Sequence, residues 1–219
     1  MAILKGLDIS VHQTEVDWNK LKEDGYEFVY IKNSEGVGYL DKLFTSHYNS
    51  AKNAGLKVGI YHFATLNDKN EVRDANEEAQ YFKSLTVHLA QDLWPAIDVE
   101  TNKIKLPPQD VEEWIKTYYN AMGGKCILYS GAWFLNANLS KDHKLGNIPL
   151  WVSSYPFDKH TTEVNASNIS NLKTPSLPVG WTNWLIWQWT GYGIIDGING
   201  LADLDVANDL LLMDNDNVV

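Results

Sequence analysis

Eight short apolar runs recur along this chain, and segments of helical period separate the earlier ones. The runs are Leu7 to Ser10, Tyr26 to Lys32, Lys57 to Phe63, Leu93 to Glu100, Lys125 to Ser130, Leu150 to Tyr155, Trp184 to Thr190 and Ala202 to Val206. Alternation of strand and helix builds right-handed crossovers, and hence a parallel sheet with helices outside it. Eight strands within 219 residues fit a closed βα barrel better than an open sheet.

The helix ends are marked by their capping residues. Asp17 caps a segment that closes near Gly25, and Asp41 opens one that turns Phe44, Tyr48 and Ala51 inward, with Gly55 just past its end. The clearest helix runs from Pro108 to Met122. It starts on proline, places Val111, Trp114, Ile115, Tyr118 and Met122 at helical spacing, and stops at Gly123-Gly124. From Pro156 to Trp181 the chain is rich in Thr, Asn, Ser and Pro without helical period, so the last strands are expected to connect by loops and the barrel to be irregular. No linker-like stretch divides the chain. Residues 1–212 therefore read as a single catalytic-size domain and 213–219 as a polar tail or the start of a linker.

Charge and motifs narrow the function classes. Lys and Arg total 18 against 28 Asp and Glu, a net of −10, so the long-range field repels polyanions and nucleic acid is not an expected partner. Cys126 is the single cysteine, lies in an apolar run and reads as a buried thiol. No stretch approaches the roughly 18 apolar residues of a membrane span, so no membrane insertion is expected. Residues 1–6 lack the features of a signal peptide, which leads to the expectation of synthesis in a cytoplasm. No His/Cys/Asp set has zinc spacing and no Gly-rich loop opens a helix, so neither metal nor nucleotide cofactor is expected.

The chemistry concentrates at strand ends. Leu93 to Glu100 runs from apolar residues into Asp98 and Glu100, spaced i, i+2, which on a strand points both carboxyls to one face. Catalytic groups of barrels sit at such C-terminal strand ends. A strand closing in a solvated acidic turn would show the same local pattern. Asp8 ends the first run, Asp203 and Asp205 lie in the last, and the first and last strands of a closed barrel are neighbours. Singly, Asp8 also suits a turn cap and Asp203 a helix cap. Aromatic residues crowd the same ends: Tyr61, Tyr129, Trp151, Tyr155, Trp187 and Trp189. Their faces suit sugar rings, and they suit a core equally well. His62, between Tyr61 and Phe63, reads as a core histidine.

Taken in order, these stretches resemble the lysozymes of glycoside hydrolase family 25. The resemblance rests on Gly6 to Ser10 with Gln13, Phe28 to Lys32 with Glu35-Gly36, Gly55 to Phe63, Ile97 to Glu100, Leu150 to Val152 with Tyr155, Ile186 to Trp189, and Gly197-Ile198 through Asp203. It implies an irregular TIM-like barrel of eight strands and fewer than eight helices, hydrolysing the β-1,4 bond between N-acetylmuramic acid and N-acetylglucosamine in bacterial cell-wall peptidoglycan. By position, Glu100 is the implied general acid, Asp98 its partner carboxylate, and Asp8 and Asp203 flanking acids. Tyr61, Tyr129, Trp151, Tyr155, Gln188 and Glu35 are the implied substrate-binding set. Like-charge neighbours at Asp8, Asp98 and Asp203 are expected to favour protonated Glu100.

Two departures stand out. Lys-Ala-Thr-Glu-Gly in the family reads Lys32-Asn33-Ser34-Glu35-Gly36 here, and the usual Asn two places after the last aspartate is Asp205. A chitinase-like hydrolase and a carbohydrate-binding domain that does not cut are the competing readings. The start of the chain favours a phage endolysin released through a pore, with a wall-binding domain once following.

Overall fold

The computed structural model describes residues 3–156, 164–165, 173–209 and 212. The expected tail at 213–219 and most of the loop-rich segment after Pro156 lie outside these residues.

All eight runs become strands, with moved ends. They are β1 (Leu4–Ile9), β2 (Phe28–Glu35), β4 (Lys57–Phe63), β5 (Ala96–Asp98), β6 (Ile127–Gly131), β7 (Leu150–Ser153), β9 (Ile186–Ile194) and β10 (Ala202–Ala207). They hydrogen-bond in that order, and β1 pairs with both β2 and β10, so the sheet closes into a barrel. Two minor strands sit outside the ring: β3 (Tyr39–Leu40) on β2 and β8 (Val164–Asn165) on β9. The described helices are α1 (Trp18–Glu23), α2 (Phe44–Asn53), α3 (Glu71–Thr86), α4 (Pro108–Ala121) and α5 (Ala132–Asn138), fewer than eight as expected.

The expectation of an all-parallel sheet needs correction. From β1 through β7 to β9 the ring is parallel, but β10 runs antiparallel to both β9 and β1. No crossover helix intervenes between β9 and β10; a short turn reverses the chain, and a turn of that length permits only an antiparallel return. The pairing sets Asp8 opposite Asp203 across the seam.

Alternation along the strands sorts two cores. On β2, Val29 and Ile31 pack outward with Trp114, Phe82 and other helix residues, while Phe28 and Tyr30 join Tyr61, Tyr129 and Trp151 inside the barrel. The interior is thus paved with rings: Trp151 lies 4.7 Å from Tyr30 and 4.8 Å from Tyr129, centroid to centroid. Rings this large fit only where neighbouring strands give way. A Cβ on Gly6 would stand 2.2 Å from the Phe28 ring, and one on Gly59 2.3 Å from Tyr30.

Helix ends follow the sequence closely. Asp17 caps α1 by accepting from Lys20 N at 3.0 Å, and Gly25 lies beyond it with φ +82°. Asp41 acts one step outside α2. Its carboxylate accepts from Leu43 N and from Val11 N, so it ties the helix entry to the loop after β1 rather than capping the first turn itself. The helix that the sequence reading passed over is α3. Ala75, Ala79 and Phe82 form its buried stripe, but buried Asp74 and Glu78 interrupt the apolar pattern.

Candidate active site

The C-terminal ends of the parallel strands and the start of β10 meet at one mouth of the barrel. A cavity of about 220 Å³ opens there, walled by Asp8, Asp98, Glu100 and Asp203 together with Lys32, Tyr61, Tyr129, Trp151 and Gln188. Four acids far apart in sequence therefore share one space. A larger hollow of about 1150 Å³ lies between α1 and the end of α2, but its acids, Glu15 and Asp17, are exposed and no buried ionisable group faces it. Among the described residues no group of His, Cys, Asp or Glu is arranged to hold a metal ion.

Backbone bonds fix the central pair. Strand β5 is three residues long: Pro95, without an N–H, limits it at the start, and pairing stops at Asp98. Glu100 therefore lies on the loop just past the strand, a correction to the expectation that both acids sit on it. The chain stays extended there: Asp98 O accepts from Ala64 N at 2.9 Å, Val99 N donates to Tyr129 O at 3.0 Å, and Ser130 Oγ donates to Val99 O at 2.5 Å. Both carboxyls consequently face the same cavity, as the i, i+2 spacing implied.

Beneath them runs a hydrogen-bonded chain. Tyr129 OH and Tyr155 OH both donate to Gln188 Oε1, at 2.8 and 2.7 Å, and Gln188 Nε2 donates to Asp8 Oδ2 at 2.7 Å. Trp151 Nε1 donates to Asp205 Oδ1 at 2.8 Å, which places Asp205, absent from the expected site, directly under it. Asp205 Oδ2 finds no donor among the described protein groups and lies within hydrogen-bond reach of Asp8. The two carboxyls are satisfied together only when one keeps a proton. On β10 a register shift beside Asp203 turns that side chain into the cavity, and Gly191 leaves room for it: a Cβ there would stand 3.0 Å from both Asp203 Oδ1 and Tyr155 OH.

Burial sets the protonation of every acid. Asp8 is held well above the usual carboxylate range by burial and then by Asp203 and Asp205. Asp98 is raised likewise, first by burial and then by Glu100. Glu100 is raised by burial alone, against the pull of Lys32, so the expected like-charge cause is replaced by desolvation. Asp203 is pushed up to about 6 by burial and Glu100. Asp98 Oδ1 is buried without a hydrogen-bond partner among the described residues.

Of the expected binding residues Tyr61, Tyr129, Trp151 and Gln188 wall this cavity, Tyr155 reaches it only through its bond to Gln188, and Glu35 stands apart. It does not wall the cavity but grips Lys32, Nζ to Oε2 2.7 Å, while the same ammonium rests 4.6 Å from the Phe63 ring centroid. Lys32 was passed over in the sequence, although it ends the inward row of β2 as Asp98 ends that of β5.

This geometry has a family counterpart: the model of glycosyl hydrolases family 25 matches residues 7–198, most of the chain. The chain belongs to glycosyl hydrolases family 25. It is a glycoside hydrolase, and its eight-stranded mixed barrel is the architecture expected from that membership. It is 32% identical to an autolytic lysozyme of Clostridium acetobutylicum over 96% of its own length, and spans 57% of that relative's. Among solved structures, a family GH25 lysozyme from Aspergillus fumigatus is 26% identical with TM-score 0.76, covering 95% of each chain. The CTP1L endolysin is 26% identical with TM-score 0.75, covering 94% of this chain and 67% of that one. In this glycosyl hydrolase Asp205 sets a buried carboxyl directly against Asp8.

Proposed function

We propose that the chain is a muramidase, hydrolysing the β-1,4 bond between N-acetylmuramic acid and N-acetylglucosamine of bacterial peptidoglycan, with Glu100 as general acid. One observation carries the reading: Glu100, its carboxyl raised above the ordinary value by burial, stands at the cavity mouth beside Asp98, whose Oδ1 lacks a partner. Glycosidic cleavage needs such a pair, a neutral acid for the leaving oxygen and a carboxylate for the positive sugar centre.

The step is substrate-assisted. Glu100 gives its proton to the glycosidic oxygen, the C1–O bond breaks, and the acetamido carbonyl oxygen of the muramic residue closes onto C1. Asp98 accepts a hydrogen bond from the acetamido N–H. That donor fills the vacant Oδ1 position and draws the Asp98 carboxyl down toward its ionised form, so the substrate charges the group that stabilises it. Water then attacks C1, the bond from C1 to the acetamido oxygen breaks and restores the amide, the water's proton passes to Glu100, and configuration is retained. Asp8 and Asp203 flank the ring, while Tyr61, Trp151 and Gln188 shape the floor.

Place of action is the cell wall, and likeness to the CTP1L endolysin supports release as a phage endolysin. Recovery of intact protein outside producing cells, without lysis or a helper pore, counts against release as an endolysin. Digestion of purified walls and of chitin side by side tests substrate class; faster chitin cleavage would make the enzyme chitinase-like. Walls stripped of acetyl groups at muramic acid test the mechanism. Loss of rate with retention supports acetamido attack, unchanged rate with retention makes Asp98 the nucleophile, and inversion points to a base among Asp8 and Asp203.

A further inference from the structure

A second cavity, about 510 Å³, adjoins the first and shares Glu100 and Tyr129 with it. Its other walls are Tyr155, Trp133 and the serines 153, 154 and 176. Trp133 is 68% exposed, and it is the single largely exposed tryptophan among the described residues. One exposed apolar residue is ordinary on a protein surface. Its setting here is not ordinary, because the indole lies over Gly131, where a Cβ would stand 2.4 Å from Nε1. Gly131 has φ −79° and ψ 140°, open to any residue, so what glycine supplies there is room for the indole in this position. The Phe134 ring lies 5.7 Å away and nearly perpendicular, a second contact that steadies the indole. A supported aromatic face beside three hydroxyl side chains and two tyrosines has the make-up of a sugar site.

The shared wall gives the direction. Asp8, Asp98 and Asp203 border the inner cavity and not the outer one, whereas Glu100 borders both. An acid that protonates a glycosidic oxygen must stand at the junction of the two sugars. The sugar undergoing attack at C1 therefore belongs in the inner cavity with Asp98, and the sugar departing with the oxygen belongs in the outer one.

We propose that the outer cavity binds the leaving-side sugar, N-acetylglucosamine under the muramidase reading on which this rests, with Trp133 as its stacking platform. The test compares two substrates of the same glycone: an oligosaccharide of the N-acetylmuramic acid–N-acetylglucosamine repeat, and the glycosyl fluoride, whose leaving atom leaves the outer cavity unfilled. Trp133→Ala should lower kcat/KM on the oligosaccharide roughly tenfold, mainly through KM, and leave the fluoride unchanged. Trp133→Phe should recover most of the loss. Equal loss on both substrates, or loss on neither, overturns the proposal. Failure of the parent enzyme to cut wall glycan would instead sink the muramidase reading, and a binding measurement then decides the platform. Titration with N,N′-diacetylchitobiose should change the tryptophan emission of the parent and not of Trp133→Phe; no change in the parent, or the same change in the variant, overturns it.

Discussion

Two buried polar networks lie back to back across β2 and β4. Outside the barrel, under α3 and α4, Ser34 Oγ meets His62 Nδ1 at 2.9 Å, His62 Nε2 meets Glu78 Oε2 at 2.8 Å, and Thr65 N donates to Glu78 Oε1 at 3.2 Å. Inside the barrel are the carboxyls of the cavity. Both networks bury acids almost completely. The outer one leaves none of the polar atoms of Ser34, His62 and Glu78 without a partner, whereas the inner one leaves Asp98 Oδ1 and Asp205 Oδ2 open. Serine, histidine and glutamate in series also form the arrangement of an acyl-transfer triad. Ser34 is 0% exposed, however, so no carbonyl can reach it. What separates scaffold from reactive site here is access: hydrogen bonding closed under α3 and α4 fastens strands to helices, while the inner carboxyls wall a cavity that a ligand can enter.

The contrast can be broken by experiment. Glu100→Gln keeps shape and removes the donated proton, so lysis should fall by roughly 10²–10⁴-fold with the unfolding midpoint unchanged. Near-parental lysis would remove Glu100 from the role. Glu78→Ala should do the reverse. It leaves His62 buried without its acid and should cost about 3–5 kcal/mol in urea unfolding, with activity per folded molecule retained. A Glu78 variant as stable as the parent would show that the outer network is not a fastening.

A smaller effect separates the networks by pH. The Asp205 carboxyl is raised by burial, so in the folded protein it binds a proton that the unfolded chain releases at lower pH. Such a group contributes its full stability below about pH 4, and that contribution is lost as pH rises through the raised value. Asp205→Asn cannot ionise, its oxygen can keep the Trp151 bond, and its amide can donate to Asp8. The variant should be more stable than the parent at neutral pH, and the gap should close toward pH 4; a gap that widens on acidification contradicts the shared proton. The smallest change concerns Lys32, which lowers both Asp98 and Glu100. Lys32→Gln should move both limbs of the pH–rate profile upward, and a fixed alkaline limb would detach Lys32 from the acid.

The sequence made the inner network legible because each acid ends an apolar run: Asp8, Asp98 and Asp203 stand where barrel strands open. His62 was readable as a core residue from its flanks, and the hydrogen bonds to Ser34 and Glu78 bear that out. Glu78 itself was hidden, since a buried acid breaks the stripe by which a helix such as α3 is recognised. The direction of β10 is not carried by its alternating run, which reads alike both ways, but by the short helix-free link before it, a signal that the strand-and-helix alternation of the earlier chain obscures. The cause of the raised Glu100 also escaped, since depth of burial belongs to the folded chain and not to neighbours in a string. Trp133, two residues past Gly131 at the end of β6, carried a signal that strand-end reasoning applied only to acids would miss.

The seam between β1 and β10 joins Leu4 to Ala207 and Asp8 to Asp203. Contacts so distant along the chain are the slowest to form, because most of the polypeptide must be in place before they can close. A ribosome making this protein therefore displays a nearly complete barrel whose cutting site still lacks one wall. Chains that stop short of β10 lack Asp203 and the strand that closes the seam, so the cavity is complete only when that strand is in place.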